Sequence, residues 1–147
     1  MRLLFAGLVM ATSLLRADGE LASDIRMPDI VLDAIRYCEC LQENGVCNPN
    51  VIRINADDEA QRAAAAGFAV NGHIIKCGST EQCTLQAQAL IDGGITNLDL
   101  GPYQINYKYH PNPMLNEYFV DSSAREQANA ILTKLVKSFG YSWETLG

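Results

Sequence analysis

Three segments of this sequence carry residue types that suit chemistry on a polar substrate. An apolar, helix-like segment ends on the carboxylate Glu39, and an Asn-Pro segment follows from Asn48 to Asn55. The third segment, Asn97 to Asn106, reads NLDLGPYQIN. A carboxyl group at the end of an apolar helix can serve as a general acid where apolar surroundings favour its protonated form. The first segment therefore supplies a candidate acid and the third a candidate substrate-binding loop.

Four residues of the third segment are candidates for substrate binding. Gly101 lets the backbone approach a ligand closely, and the amide of Gln104 can both donate and accept hydrogen bonds. Tyr103 offers a ring face and a hydroxyl group. Asn106 is expected to hold the loop itself. For each of them ordinary turn or core packing is the alternative interpretation.

Composition limits the class of partner. The chain has 147 residues, 48% of them hydrophobic, which is enough for one domain with its own core. The formal net charge of −6 disfavours nucleic acid as a partner, since that binding depends on Lys and Arg. We predict no metal site and no cofactor.

The N-terminus has the pattern of a signal peptide. Arg2 is followed by the apolar run Leu3 to Leu15, and Ala17 is the predicted last residue removed. The apolar run is too short to span a membrane. We therefore predict export to the periplasm, a mature domain over residues 18–147, and no membrane span after removal of the signal.

Cysteine usage agrees with export, because an oxidising compartment permits disulfides. The spacings match no common zinc pattern, so disulfides are favoured over zinc. Pairs Cys40–Cys47 and Cys77–Cys83 would each close a short loop and leave Cys38 as a buried helical thiol. The sequence alone leaves this connectivity open.

Periodicity and turn signals predict a mainly helical α+β fold with one small hairpin. The Asn71-Gly72 dipeptide predicts a turn between strands at 68–70 and 73–75. A capping box of Ser123 with Glu126 predicts the start of the last helix, which Gly140 ends. The other predicted elements are a helix from Pro28 to Cys40 or Leu41, a loop at 42–50, a strand at 51–54, a helix from Asp57 that Gly67 ends, and a helix at 81–91 capped by Ser79 or Thr80.

Taken in order, these segments resemble the lytic transglycosylases with a soluble-transglycosylase-like, lysozyme-like domain. The chain is most similar to the small type associated with type IV secretion systems. That family has a helix ending in a catalytic Glu, an Asn-Pro segment, a hairpin, a helix and a Gly-x-x-Gln-Ile-Asn loop. Here the same order runs from about Asp29 to the C-terminus. The resemblance implies a lysozyme-like fold, peptidoglycan strands as substrate and, as a further partner, an envelope-spanning secretion complex.

By this resemblance Glu39 is the general acid/base that cleaves the bond between two amino sugars and forms a 1,6-anhydro product. A hydrolytic lysozyme would ordinarily need a second carboxylate, for which Asp99 and Asp121 are the available residues. Glu43 is the alternative acid, because its spacing to Pro49 is nearer the family's usual Glu-to-Pro spacing. Glu39 is favoured by its helical register.

Three departures from the family pattern put activity in question. Cys40 replaces the usual Ser after the Glu, and Pro102-Tyr103 replaces Leu-Met in the loop. The Tyr-containing stretch expected after Trp143 is missing, so the domain is expected to be incomplete at its C-terminus. A lysozyme-like peptidoglycan-binding or scaffold protein without catalysis is therefore the alternative function.

Overall fold

The computed structural model describes residues 26–140, and about 49% of these are helical. The predicted signal peptide at 1–17 and the segment around Trp143 lie outside the described residues. The fold is α+β and mainly helical, as predicted. The helices are α1 (Asp29–Glu39), α2 (Asp57–Ala65), α3 (Thr80–Asp92), a 3₁₀ turn (Leu115–Tyr118) and α4 (Asp121–Phe139). Within residues 26–140 no helix is long and apolar enough to cross a membrane.

The described residues fall into two compact units. One contains residues 26–34 and 129–140, and the other contains residues 35–128. All of the predicted site residues lie in the second unit.

The bounds of helix α1 closely follow the prediction from sequence. Pro28 precedes it, and its carbonyl accepts from the amides of Val31 and Leu32, at 2.9 and 3.3 Å. Leu32 is fully buried. Cys38 is unbridged, as predicted, but the prediction that its thiol is buried was wrong, because the residue is exposed. Cys38 and the buried, bridged Cys40 lie about 200° apart around a helix with 3.6 residues per turn, so the two side chains cannot both face the core.

The segment predicted as a loop after α1 is a β-hairpin. Strand β1 (Leu41–Glu43) pairs antiparallel with β2 (Val46–Asn48). Asn44 and Gly45 connect them with φ angles of +52° and +77°. Such a pair of left-handed residues matches the right-handed twist of the flanking strands. A disulfide from Cys40 to Cys47 joins the end of α1 to this hairpin.

A four-stranded antiparallel sheet lies at the centre of the second unit. Its strand order is β4 (Ile74–Lys76), β3 (Val51–Ile54), β5 (Leu98–Leu100) and β6 (Ile105–Asn106). Strand β5 has the alternation expected of a strand with one buried face, since Leu98 and Leu100 are fully buried and Asp99 is not. In β3, Val51, Ile52 and Ile54 are buried and Arg53 is exposed. The β5–β6 hairpin is the NLDLGPYQIN segment, so the sheet determines where its turn lies.

Two sequence predictions need correction here. Residues 68–70 form no strand, and only a single bridge between Asn71 and Ile74 spans the predicted hairpin turn. The actual partner of β4 is β3, with Val51 opposite Lys76. The last helix begins at Asp121, ahead of the predicted capping box, and its last residue, Phe139, is 75% exposed.

Helix α3 begins as predicted. The Ser79 hydroxyl accepts from the backbone N–H of Gln82 at 3.1 Å, which satisfies one of the unpaired donors at the helix start. A second disulfide joins Cys77, just before the helix, to Cys83 in its first turn.

Candidate functional site

Glu39 is the last residue of α1, and its side chain is exposed. Within residues 26–140 it makes no hydrogen bond or ion pair. The backbone beside it is well held: the Cys40 N–H donates to the carbonyl of Arg36 at 2.9 Å, and the Cys40–Cys47 disulfide follows. The structure thus combines a fixed backbone with a carboxylate that is accessible to a ligand.

Arg36, one helical turn before Glu39, is tied to the start of α4. Its Nε donates to Asp121 Oδ1 at 2.7 Å. Both side chains are partly exposed, at 32% and 53%, so solvent screens the pair and its net contribution to stability is small. Its role is geometric, because it fixes the last turn of α1 relative to the first turn of α4.

The alternative acid, Glu43, lies in the hairpin and is engaged on both carboxylate oxygens. Lys76 on β4 donates to Oε1, and Asn48 Nδ2 donates to Oε2 at 2.9 Å. The hydrogen bond from Lys76, followed by that from Asn48, lowers the pKa of Glu43 below its ordinary value of 4.5. A group held as a carboxylate is poorly suited to donate a proton.

Gly101 begins the turn of the β5–β6 hairpin, and the space beside it is occupied. Its φ is +73°, and an added Cβ would lie 1.7 Å from the backbone carbonyl oxygen of Tyr118. Its N–H donates to the carbonyl of Val51 at 3.0 Å. Gly101 was expected to let a ligand approach the backbone closely, but in the structure the group that lies against it is the backbone of Tyr118.

Gln104 ends the same turn in an unusual conformation. Its φ is +47°, in the left-handed region that side chains other than glycine seldom adopt. Its Nε2 donates to the carbonyl of Gly101 at 2.7 Å, which ties the two ends of the turn together. Its Oε1 is buried, with no hydrogen-bond partner among the described residues.

Tyr103 points inward from the turn and is only 4% exposed. Its hydroxyl oxygen accepts from Arg125 Nη1 on α4 at 3.0 Å. Burial raises the pKa of Tyr103, and the hydrogen bond from Arg125 opposes that shift in part. The ring therefore packs under the turn, and the phenol stays neutral.

Asn106 connects the two strands of the hairpin. Its Nδ2 donates to Asp99 Oδ1 at 2.7 Å and to Asn97 Oδ1 at 3.0 Å, and its Oδ1 accepts from the Lys108 N–H at 3.1 Å. Asp99, a candidate second carboxylate, is thereby engaged within the loop.

The Asn-Pro segment connects the first hairpin to the second disulfide. Asn48 Oδ1 accepts from the N–H of Asn50 at 2.9 Å, which makes a side-chain turn around Pro49. Asn50 in turn accepts from the Cys77 N–H through its carbonyl and from the Thr80 hydroxyl through Oδ1, at 3.0 and 3.1 Å. Through these hydrogen bonds the segment links the first hairpin to the start of α3.

The first turns of α4 connect the two parts of the candidate site. Asp121 binds Arg36 from α1, and Arg125, four residues later, binds Tyr103 of the motif turn. Residues four apart share one face of a helix. From sequence, Asp121 was predicted only as a possible second carboxylate, and Arg125 was not predicted. The Asp-x-x-x-Arg spacing at a helix start was the available signal.

No group of three or more His, Cys, Asp or Glu side chains between residues 26 and 140 is placed to hold a metal ion. An open depression of about 440 Å³ lies along α4 in the first unit, and none of the predicted site residues lines it. No protein-family model, curated protein or solved structure matches the chain. The resemblance to the lytic transglycosylases thus rests on the chain's own motifs.

Proposed function

We propose that this chain is a periplasmic lytic transglycosylase with a lysozyme-like fold that cleaves peptidoglycan. The observation that carries the proposal is the double connection through α4. Asp121 holds the last turn of α1, which bears Glu39, and Arg125 holds the motif turn through Tyr103. A candidate acid and a candidate cleft wall, some sixty residues apart in sequence, are thus both fixed to one helix face.

In the proposed reaction, Glu39 begins as a carboxylic acid and donates its proton to the oxygen of the MurNAc–GlcNAc β-1,4 bond. The C–O bond breaks as the C6 hydroxyl of the MurNAc ring attacks its own anomeric carbon. Glu39, now a carboxylate, takes the proton of that hydroxyl. The products are a 1,6-anhydro-MurNAc end and a free GlcNAc hydroxyl, and no water is consumed. One carboxyl group is sufficient for this sequence.

The motif turn is assigned as the wall of the cleft. Gly101, Tyr103, Gln104 and Asn106 keep the turn in one shape through the contacts described above, and a rigid wall positions a sugar better than a mobile one. Substrate contact then falls to the outer surface of the turn, because the Tyr103 ring and Gln104 Oε1 face inward.

One observation supports Glu39 over Glu43 as the acid, and another supports export. Glu43 is held as a carboxylate by Lys76, whereas among residues 26–140 no cation is paired with Glu39. Two cysteine pairs lie within disulfide-bonding distance, as expected in an oxidising compartment such as the periplasm.

Digestion of purified sacculi tests the proposal. Mass spectrometry of the released material should find 1,6-anhydro-muropeptides, and Glu39→Gln should abolish them while Glu43→Gln retains them. Ordinary reducing ends would indicate a hydrolase instead. Loss of product in Glu43→Gln alone would reverse the assignment of the acid.

A second candidate function is a lysozyme-like, non-catalytic protein that binds peptidoglycan as a scaffold. It is favoured by the exposure of Glu39, since a general acid at neutral pH ordinarily needs an apolar pocket. Co-sedimentation with sacculi in the absence of any released muropeptide would support this function over the enzyme.

A further inference from the structure

The loop from Tyr107 to Met114 is held in one conformation by hydrogen bonds to neighbouring elements. The buried Tyr118 donates its hydroxyl proton to the carbonyl of His110. Asn112 Nδ2 donates to Glu117 Oε2 at 2.8 Å. A loop already ordered in this way loses little further conformational entropy when it binds a ligand.

This loop presents an exposed aromatic ring beside a cation. Tyr109 is 68% exposed. An aromatic ring that remains in water forgoes the free energy that its burial would contribute. The Lys108 ammonium nitrogen lies 5.8 Å from the centre of the Tyr109 ring. Lys108 is itself exposed, so the ring and the charge form one accessible patch.

The chemistry of the patch restricts its ligand. An exposed aromatic ring packs well against the C–H face of a sugar, because both surfaces are apolar and flat. An adjacent ammonium group attracts an anion such as a carboxylate. In a chain of net charge −6, a cation at this position favours anionic ligands locally.

We propose that Tyr109 and Lys108 form a glycan-binding platform, in addition to the site of Glu39, for amino-sugar strands that carry carboxylates. The choice of peptidoglycan as the polymer rests on the proposed function. Tyr109 stacks on a sugar ring, and Lys108 binds a lactyl or stem-peptide carboxylate. The platform holds the strand independently of the cleavage step.

Binding to insoluble sacculi and to chitin, which lacks these carboxylates, tests the platform. The measurements use the full chain with Glu39→Gln, so that the probe is not degraded. Tyr109→Ala should weaken binding to both polymers by about two- to tenfold, the range expected for one lost aromatic contact. Lys108→Met should weaken binding to sacculi only, and this difference should disappear in about 1 M salt, where the Debye length is about 3 Å.

Phe139→Ala is the matched control, since Phe139 is an exposed aromatic with 75% exposure elsewhere on the chain. The proposal is overturned if Tyr109→Ala binds both polymers as well as this control, or if the parent chain binds neither. Equal effects of Lys108→Met on sacculi and chitin would overturn the carboxylate assignment. Failure of the proposed function has a different signature, namely the absence of 1,6-anhydro products from the unmodified chain.

Discussion

Gly101 lies against the backbone of Tyr118 so closely that even one methyl group cannot be inserted between them. An ideal Cβ on Gly101 would lie 1.7 Å from the Tyr118 carbonyl oxygen and 2.8 Å from its carbonyl carbon. Both partners are buried, and Gly101 starts the turn that leads to Tyr103 and Gln104. The glycine of the motif is therefore required by packing, whatever the protein binds.

Gly101→Ala should destabilise the protein by roughly 4 kcal/mol or more, because backbone atoms must move to admit the methyl group. The free energy of unfolding in urea measures this effect. Gly72→Ala is the control, since Gly72 also has a positive φ, of +63°, but has open space around its Cβ position. That variant should cost only about 1–2 kcal/mol, from the left-handed conformation alone. Equal losses in the two variants would contradict the packing argument.

Alkaline pH should destabilise the fold through Tyr118. Burial raises the pKa of Tyr118 to about 12. Because the pKa of Tyr118 is higher in the folded than in the unfolded state, its protonated phenol contributes stability at pH values below 10. That contribution is lost as the pH rises towards 12. The urea midpoint should therefore fall between pH 10 and pH 12.

Tyr118→Phe should make the midpoint fall less steeply over that interval, although some slope remains because the pKa of Tyr103 is also raised. The variant also removes the donor to the His110 carbonyl, so it should be less stable at neutral pH. An unchanged slope in Tyr118→Phe would argue against this assignment.

Acid titration should distinguish the two candidate carboxylates of the site. Carboxyl-detected NMR should find the pKa of Glu43 below 4.5, and Lys76→Met should bring it back towards that value. Because the pKa of Glu43 is lower in the folded than in the unfolded state, its carboxylate stabilises the fold at pH values above 4.5. That stabilisation is lost as the pH falls through the folded-state pKa of Glu43. Lys108→Met, which changes the net charge equally, should leave the pKa of Glu43 nearly unchanged. A similar response to both variants would indicate long-range charge rather than the specific hydrogen bond.

Thiol labelling should find one reactive cysteine in the native, oxidised chain. Cys38 is exposed, and the other four cysteines form disulfides. Intact-mass measurement after treatment with iodoacetamide should show one added group, and Cys38→Ser should show none. Labelling at Cys40 or Cys47 without prior reduction would contradict the observed pairing.

Replacing both Cys40 and Cys47 by Ala should lower the free energy of unfolding by about 2–3 kcal/mol, the expectation for a loop of this length. The N–H of Cys40, which donates to the Arg36 carbonyl, should then exchange faster with solvent. Cys38→Ser is the matched control and should leave both quantities nearly unchanged.

Local signals in the sequence predicted the fold well where the interactions are local. The bounds of α1, strand β3 and the Ser79 cap, one of the two caps considered, depend mainly on neighbouring residues, and the sequence predicted all of them closely. The buried face of α1 was not predicted, because its one fully buried residue is Leu32. Pairing between distant segments was not predictable in this way. The Asn71-Gly72 dipeptide suggested a local hairpin, yet β4 pairs with β3, which lies more than twenty residues earlier.

The same dipeptide at Asn44-Gly45 does close a hairpin, although the segment was predicted as a loop. Short strands there gave no clear alternation, and the disulfide supplies part of the order. In the candidate site, the residue types of the motif turn were visible in the sequence, but the inward orientation of Tyr103 was not. That orientation depends on Arg125, whose contact with Tyr103 only the tertiary fold creates.

The positions of Cys38 and Cys40 on opposite sides of α1 also bear on how the chain matures. Any of the three cysteines between residues 38 and 47 could pair with either of the others in an unfolded chain. In the folded chain Cys38 is exposed, and Cys40 is the residue bonded to Cys47. The helix thus favours one of the competing oxidation isomers, and a chain that forms another pair before α1 has folded must exchange that disulfide to reach the native pairing.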